Sequence, residues 1–177
     1  MRHTAWQAVR ASVLASAILG GGAATASARP EINPDSAVRS NNVVLLEVIA
    51  EASEQSPTFH GMIDQISALK GIVYIVFGDC GHGVRACLVH VVPAGALRFL
   101  WVKVDSRKSR RELMGSIGHE LRHAIEVLND RSVRTTIDMN NFYDREASMR
   151  GIGTFETYAA IAAGDAVRKE LRGYVRD

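Results

Sequence analysis

One long amphipathic run in the second half of the chain restricts the fold more than anything else in the sequence. Leu113, Ile117, Leu121, Ala124, Ile125 and Leu128 recur at spacings of three and four residues. That period predicts a single helix of about four turns with one apolar stripe. Asp105 or Ser109 is placed to cap its start, and the helix ends near Asn129. A stripe this long must be buried against a second layer, so the rest of the chain has to pack around it.

Away from the stripe the same run reads Gly118-His119-Glu120-Leu121-Arg122-His123-Ala124. At about 100° per residue, His119 and His123 lie about 40° apart on one face, and Glu120 about 60° beyond His123. Two imidazoles so placed can grip one metal ion, and the carboxylate beside them can reach a water on that ion without being a ligand. Both histidines lie roughly opposite the stripe, which argues against core histidines. A pair of solvated surface histidines is the plain alternative.

The H-E-x-x-H pattern resembles the zincin superfamily of zinc metallopeptidases. The resemblance implies an α+β fold in which a small antiparallel sheet packs on the H-E-x-x-H helix, with further helices around it. It also implies one Zn²⁺ per chain, a peptide or protein substrate, and hydrolysis with Glu120 as general base. In that family an edge strand lies over the active-site helix, and Leu97 to Val104 holds that place by position. The metzincin extension is absent, since Glu126 stands at its glycine and Asn129 at its third histidine. The aspzincin "GTxDxxYG" and thermolysin "NExxSD" segments are absent too. What remains resembles gluzincins in general, whose third ligand is a Glu from a later helix.

Glu146 and Glu156 qualify by order, and Glu156 in "GTFETYAA" is preferred. It is read in the first turn of the last helix, where Ala159, Ala160, Ala162 and Ala163 allow tight packing on the H-E-x-x-H helix. Its rival role is to complement that helix's dipole. Asp130, Asp138 and Glu146 stay open as other third ligands. Glu126 either accepts a hydrogen bond from a ligand histidine or is surface charge. Tyr143 and Tyr158 are the aromatic candidates for an oxyanion donor.

Residues 1–28 read as a signal peptide: Arg2 and Arg10, a short apolar core from Val13 to Gly22, then small-x-small sites at Ala24 to Ala28. The implied location is secreted or periplasmic. The chain has 21 Lys and Arg against 19 Asp and Glu, and losing Arg2 and Arg10 with the leader brings the two into balance. That balance points away from nucleic acid and anionic membranes as partners. Cys80 and Cys87 suit an exported protein with one disulfide fixing a hairpin tip, zinc ligation by the pair being the rival reading.

Residues 29–41, with Pro30 and Pro34, read as an extended segment before a single domain over 42–177. That domain starts with two helices, Asn42 to Ser53 and Pro57 to Leu69, the second closed by Gly71. Three β-rich runs follow, "IVYIVFG", "ACLVHVV" and "LRFLWVKV", whose short connections favour an antiparallel meander. His82 and His90 read as a loop polar group and a sheet-face histidine. After the central helix come one over Thr136 to Arg150, with Ile137, Phe142 and Met149 inward, and a last one over Thr154 to Arg172. Thr154 is its cap candidate, and Phe155, Ala159, Ala162, Ala166 and Val167 lie along its buried side. Two other classes stay open: a zinc-binding or structural module with the same site and no catalysis, and a periplasmic binding or inhibitor module with an accidental motif.

Overall fold

The structure, a computed structural model, describes residues 35–81, 83–150 and 155–173. The leader read at 1–28 and the first part of the extended segment lie outside the described residues. The fold is α+β. A four-stranded sheet is made of β1 (Val38–Arg39), β2 (Gly71–Phe77), β3 (Ala86–Ala94) and β4 (Leu97–Val104). The helices are α1 (Val43–Gln55), α2 (Pro57–Ala68), α3 (Arg110–Asn129), α4 (Thr136–Arg150) and α5 (Tyr158–Gly173).

Local signals set most of these boundaries. Asn42 caps α1 by accepting from Val44 and Leu45. Ser56 caps α2 with Pro57 at its first position, and Ser109 caps α3. Between α2 and β2 the left-handed residue is Lys70 (φ 57°), not the glycine expected to close the helix. Gly71 instead opens β2, where a Cβ would collide with Leu128 of α3.

The sheet is mixed and is not the expected meander. Its order is β1-β2-β4-β3, with β4 parallel to β2 and antiparallel to β3. Gly95 (φ 61°) turns β3 into β4 as a tight hairpin, while the longer connection over 78–85 lets β2 and β3 stand apart with β4 between them. Skipping one strand needs only about 10 Å, well within the reach of that connection. Leu97–Val104 is therefore interior, and the edge strands are β1 and β3. Within the stretch expected to be merely extended, Val38 and Arg39 pair parallel with β2.

Val73 and Ile75 of β2, Val91 of β3 and Leu100, Val102 and Val104 of β4 are buried in one core with the stripe of α3. The helix α3 is central rather than one-sided. Its stripe meets the sheet and α2, and its other side meets α5. Gly115, Gly118 and Gly164 permit that approach: a Cβ on Gly164 would lie 3.1 Å from the Gly115 carbonyl oxygen and 3.1 Å from His119 Cβ. The glycines make the closest contact, and of the alanines of this last helix Ala160 is buried, Ala163 packs on the core and Ala162 is exposed. At the far end of α5, Glu170 accepts from Ser56 Oγ, Thr58 N and Thr58 Oγ1 at the start of α2. Arg98 closes the other end of α3, donating to the carbonyls of Val127, Leu128, Asp130 and Val133.

Two inward faces differ from the sequence reading. In α4, Met139 and Tyr143 are buried while Ile137 is 71% exposed, because the helix presents its 139/143 face to the core and Phe142 only at its margin. Met149 lies outside the residues whose side chains are described. Phe155 precedes α5 and is half exposed. The disulfide Cys80–Cys87 is formed, tying the β2–β3 connection to the start of β3.

Candidate metal centre

Helix α3 carries His119 and His123 one turn apart, and the close α5 crossing walls them in. His119 Nε2 and His123 Nε2 stand 3.1 Å apart. Glu156 Oε1 lies 3.4 Å from His119 Nε2 and 3.7 Å from His123 Nε2. Ligand atoms about 2.0 to 2.1 Å from a tetrahedral ion stand about 3.3 Å from one another, and these three separations bracket that value. Among the described residues, His119, His123 and Glu156 form a group that could hold a metal ion.

Glu156 reaches the histidines from the link between α4 and α5, not from a helical turn. Phe155 before it takes a left-handed backbone (φ 68°), and Thr157 after it caps α5, accepting from Ala160 N through its hydroxyl and from Ile161 N through its carbonyl. The helix therefore starts at Tyr158. The strained Phe155 and the capping Thr157 together fix the direction of the carboxylate between them.

The surroundings of His123 orient it. Its Nδ1 lies 3.1 Å from Glu126 Oε2, and Glu126 Oε1 accepts from Thr157 Oγ1 at 2.8 Å. In the neutral imidazole that a metal ion requires, an Nδ1–H held by Glu126 would leave the Nε2 lone pair facing His119 and Glu156. Burial would lower the His123 pKa, but the bonds to Glu126 and Glu156 raise it to about 9. Burial and the charge of His123 lower that of His119. Burial would raise Glu156, yet its bond to His123 and the charge of His119 bring it below the ordinary glutamate value.

Glu120 points past the histidines toward β3. Its Oε1 is 3.9 Å from His119 Nε2 and its side chain is 6% exposed. Burial raises its pKa to about 7, against the charge of His123 and the backbone N–H of Leu88, which favour the ionised form. Just beyond Leu88 the β3–β4 register slips by one residue at Val89, a bulge that bends β3 where it walls the site. A cleft of about 370 Å³ opens over these groups, with an apolar wall from Val84, Leu88, Val89, Met139 and Phe155.

Comparison with protein-family models, with curated proteins and with solved structures finds no match to this chain. The site therefore stands on its own geometry.

The remaining candidates fall in different places. Tyr143 is buried, donates its hydroxyl to the His123 carbonyl at 3.1 Å and sets its ring edge-on to the imidazole at 5.3 Å. Its hydroxyl is committed to that carbonyl, so it props the histidine and is not free as an oxyanion donor. Tyr158 is 64% exposed and does not line the cleft. Asp130 turns back onto Ser132, and Asp138 caps the start of α4, accepting from Arg134 N and Thr135 N. The Glu146 side chain and His82 lie outside the described residues. His90 is exposed on β3. Cys80 and Cys87 line the cleft as a disulfide and so are not thiolate ligands.

The histidine-bearing face is not a solvated surface, because β3, α4 and α5 enclose it and leave His123 and Glu120 each 4% exposed. Thr157 was missed by the sequence reading, although a threonine directly before an alanine-rich helical run carries the capping signal.

Proposed function

We propose that the chain is an exported zinc-dependent peptidase of zincin type. The observation that carries the reading is the convergence of His119, His123 and Glu156 within ligand spacing, with the buried Glu120 beside them. Two imidazole nitrogens and one carboxylate oxygen are a donor set that suits zinc and leaves a fourth position open. When bound, zinc supplies Lewis acidity and a water of lowered pKa.

The chain's own groups do the rest. His119, His123 and Glu156 would hold the ion, and Glu126 and Tyr143 hold His123 in place. Glu120, held near pH 7 by its burial, accepts a proton from the attacking water and returns it to the leaving amine. The cleft wall along β3 excludes water from one side. The disulfide suits an oxidising compartment, which supports export.

The test is hydrolysis of a peptide library by mature protein supplied with zinc, beside Glu120→Gln. Cleavage that is lost with a chelator and in the variant, while zinc stays bound to the variant, supports the reading. Zinc binding without cleavage by the wild type favours a non-catalytic zinc module with the same ligands.

A further inference from the structure

Beside the metal-ligating groups lies a second lobe of about 200 Å³, lined by Arg85, Ser116 and Arg168 and sharing Val84, Ala86, His119, Glu120 and Glu156 with the first. Its chemistry differs from that of the first lobe. Ser116 stands on α3 one turn before His119 and Glu120 and is 4% exposed, yet its hydroxyl has no hydrogen-bond partner among the described residues. A buried hydroxyl left unpaired in the wall of a cavity calls for a partner that enters the cavity.

Two guanidiniums flank it. Arg85 Nη1 donates to Glu112 Oε2 at 2.9 Å, and Arg168 Nε lies 3.4 Å from the same oxygen. Arg168 Nη1 also meets Asp165, an exposed carboxylate, at 3.1 Å. Two cations thus share one partly buried anion, and each guanidinium has five N–H donors, most of them unused by these contacts. The stem of Arg168 lies across Gly115, and its Nη1 lies close to Gly164, so the close α3–α5 crossing fixes the guanidinium at the lobe. Glu120 and Glu156 line the lobe as well. With a dication held by His119, His123 and Glu156, the dication, Arg85 and Arg168 together offset Glu112, Glu120, Glu156 and Asp165, so an entering carboxylate meets unused guanidinium N–H donors with no net negative charge against it.

We propose that this lobe is a carboxylate-recognition subsite. In it Arg168 and Ser116, with Arg85 at the rim, hold a carboxylate of the substrate next to the bond that is cut, while an apolar side chain lies against Val84, Leu88 and Met139. This rests on the reading of the centre as a metal-dependent peptidase and names its substrate class: short peptides with a carboxylate on one side of the scissile bond. The carboxylate comes either from a chain end or from an acidic side chain.

The test is calorimetric binding to zinc-supplemented Glu120→Gln protein, in which turnover does not consume the probe, with zinc content measured on the same samples. The probes are acetyl-leucyl-alanine as free acid, its C-terminal amide, and acetyl-leucyl-aspartic acid amide. The free acid or the aspartyl amide should bind about tenfold more tightly than the alanyl amide, the scale of a charge-assisted bidentate contact. Whichever binds tightly identifies the source of the carboxylate. Arg168→Gln should bring that preference below about twofold, and Ser116→Ala, which removes a single oxygen, should cut it about threefold.

Equal binding of all three probes overturns the proposal, and so does a preference that survives both substitutions. Protein that holds zinc but shows no preference loses the subsite and keeps the metal reading. Protein that holds no zinc but prefers a carboxylate through Arg168 does the reverse.

Discussion

Replacing Glu126 by glutamine tests how the centre is held. Its carboxylate bridges His123 Nδ1 at 3.1 Å and Thr157 Oγ1 at 2.8 Å, and Thr157 directly follows the proposed ligand Glu156. One carboxylate therefore couples a proposed ligand on α3 to the link that carries another. Losing such a partner costs about 10- to 100-fold in metal affinity. Glutamine keeps the shape and one acceptor, and the Tyr143 ring still braces the imidazole, so about 10-fold is expected, or about 1.4 kcal/mol. Glu126→Ala also strands a buried N–H and should reach about 100-fold.

A second effect runs the other way. After burial, which lowers the His123 pKa, the bond to Glu126 is the first of the influences that raise it to about 9. Without that bond the pKa drops, and a metal ion meets less competition from the proton. The loss should be seen in full near pH 9 and shrink as pH falls toward 6. Competition with a chelator of known affinity at several pH values reads the affinity, and NMR titration of the metal-free protein reads the His123 pKa. An affinity at pH 9 within twofold of wild type, with an unmoved His123 pKa, would refute the coupling.

Three further outcomes are expected. Binding must displace the proton that His123 holds up to about pH 9, so apparent zinc affinity of the wild type should rise about tenfold per unit between pH 7 and 9; a flat profile in chelator competition contradicts this. His123 and Glu120 both have folded-state pKa values above their ordinary ones, about 9 against 6.5 and about 7 against 4.5. The native state thus binds more protons, and the melting temperature of the metal-free protein should fall as pH rises from about 5 to 9; melts followed by circular dichroism in chelator would expose the error if stability rose instead. Gly118→Ala would place a Cβ 2.8 Å from Val167 Cγ2 in the α3–α5 crossing and should destabilise by about 1 to 3 kcal/mol, with an unchanged melting temperature counting against that packing.

The long helix was legible because its apolar period is dictated by one buried stripe, and its Ser109 cap follows from local hydrogen bonding. The three β-rich runs were legible for the same local reason. Strand order was not, since β4 inserts between β2 and β3 through long-range pairing that short connections do not determine. Burial of His123 was hidden too: periodicity finds the apolar face of α3 but cannot show that Gly115, Gly118 and Gly164 bring α5 onto the other face. Glu156 was picked out by its place after a glycine-rich break, while the geometry that aims it depends on the backbone of Phe155 and the cap at Thr157. Ile137 misled because apolar spacing alone does not tell which side of a short helix meets the core.

The most direct test of the three-residue centre is the metal content of the mature, tag-free protein by mass spectrometry, wild type beside Glu156→Ala. Wild type should carry about one zinc per chain, and the variant, left with two protein ligands, should lose most of it. Equal zinc in both proteins would contradict the role given to Glu156, and no metal in either after zinc is supplied would contradict the centre itself.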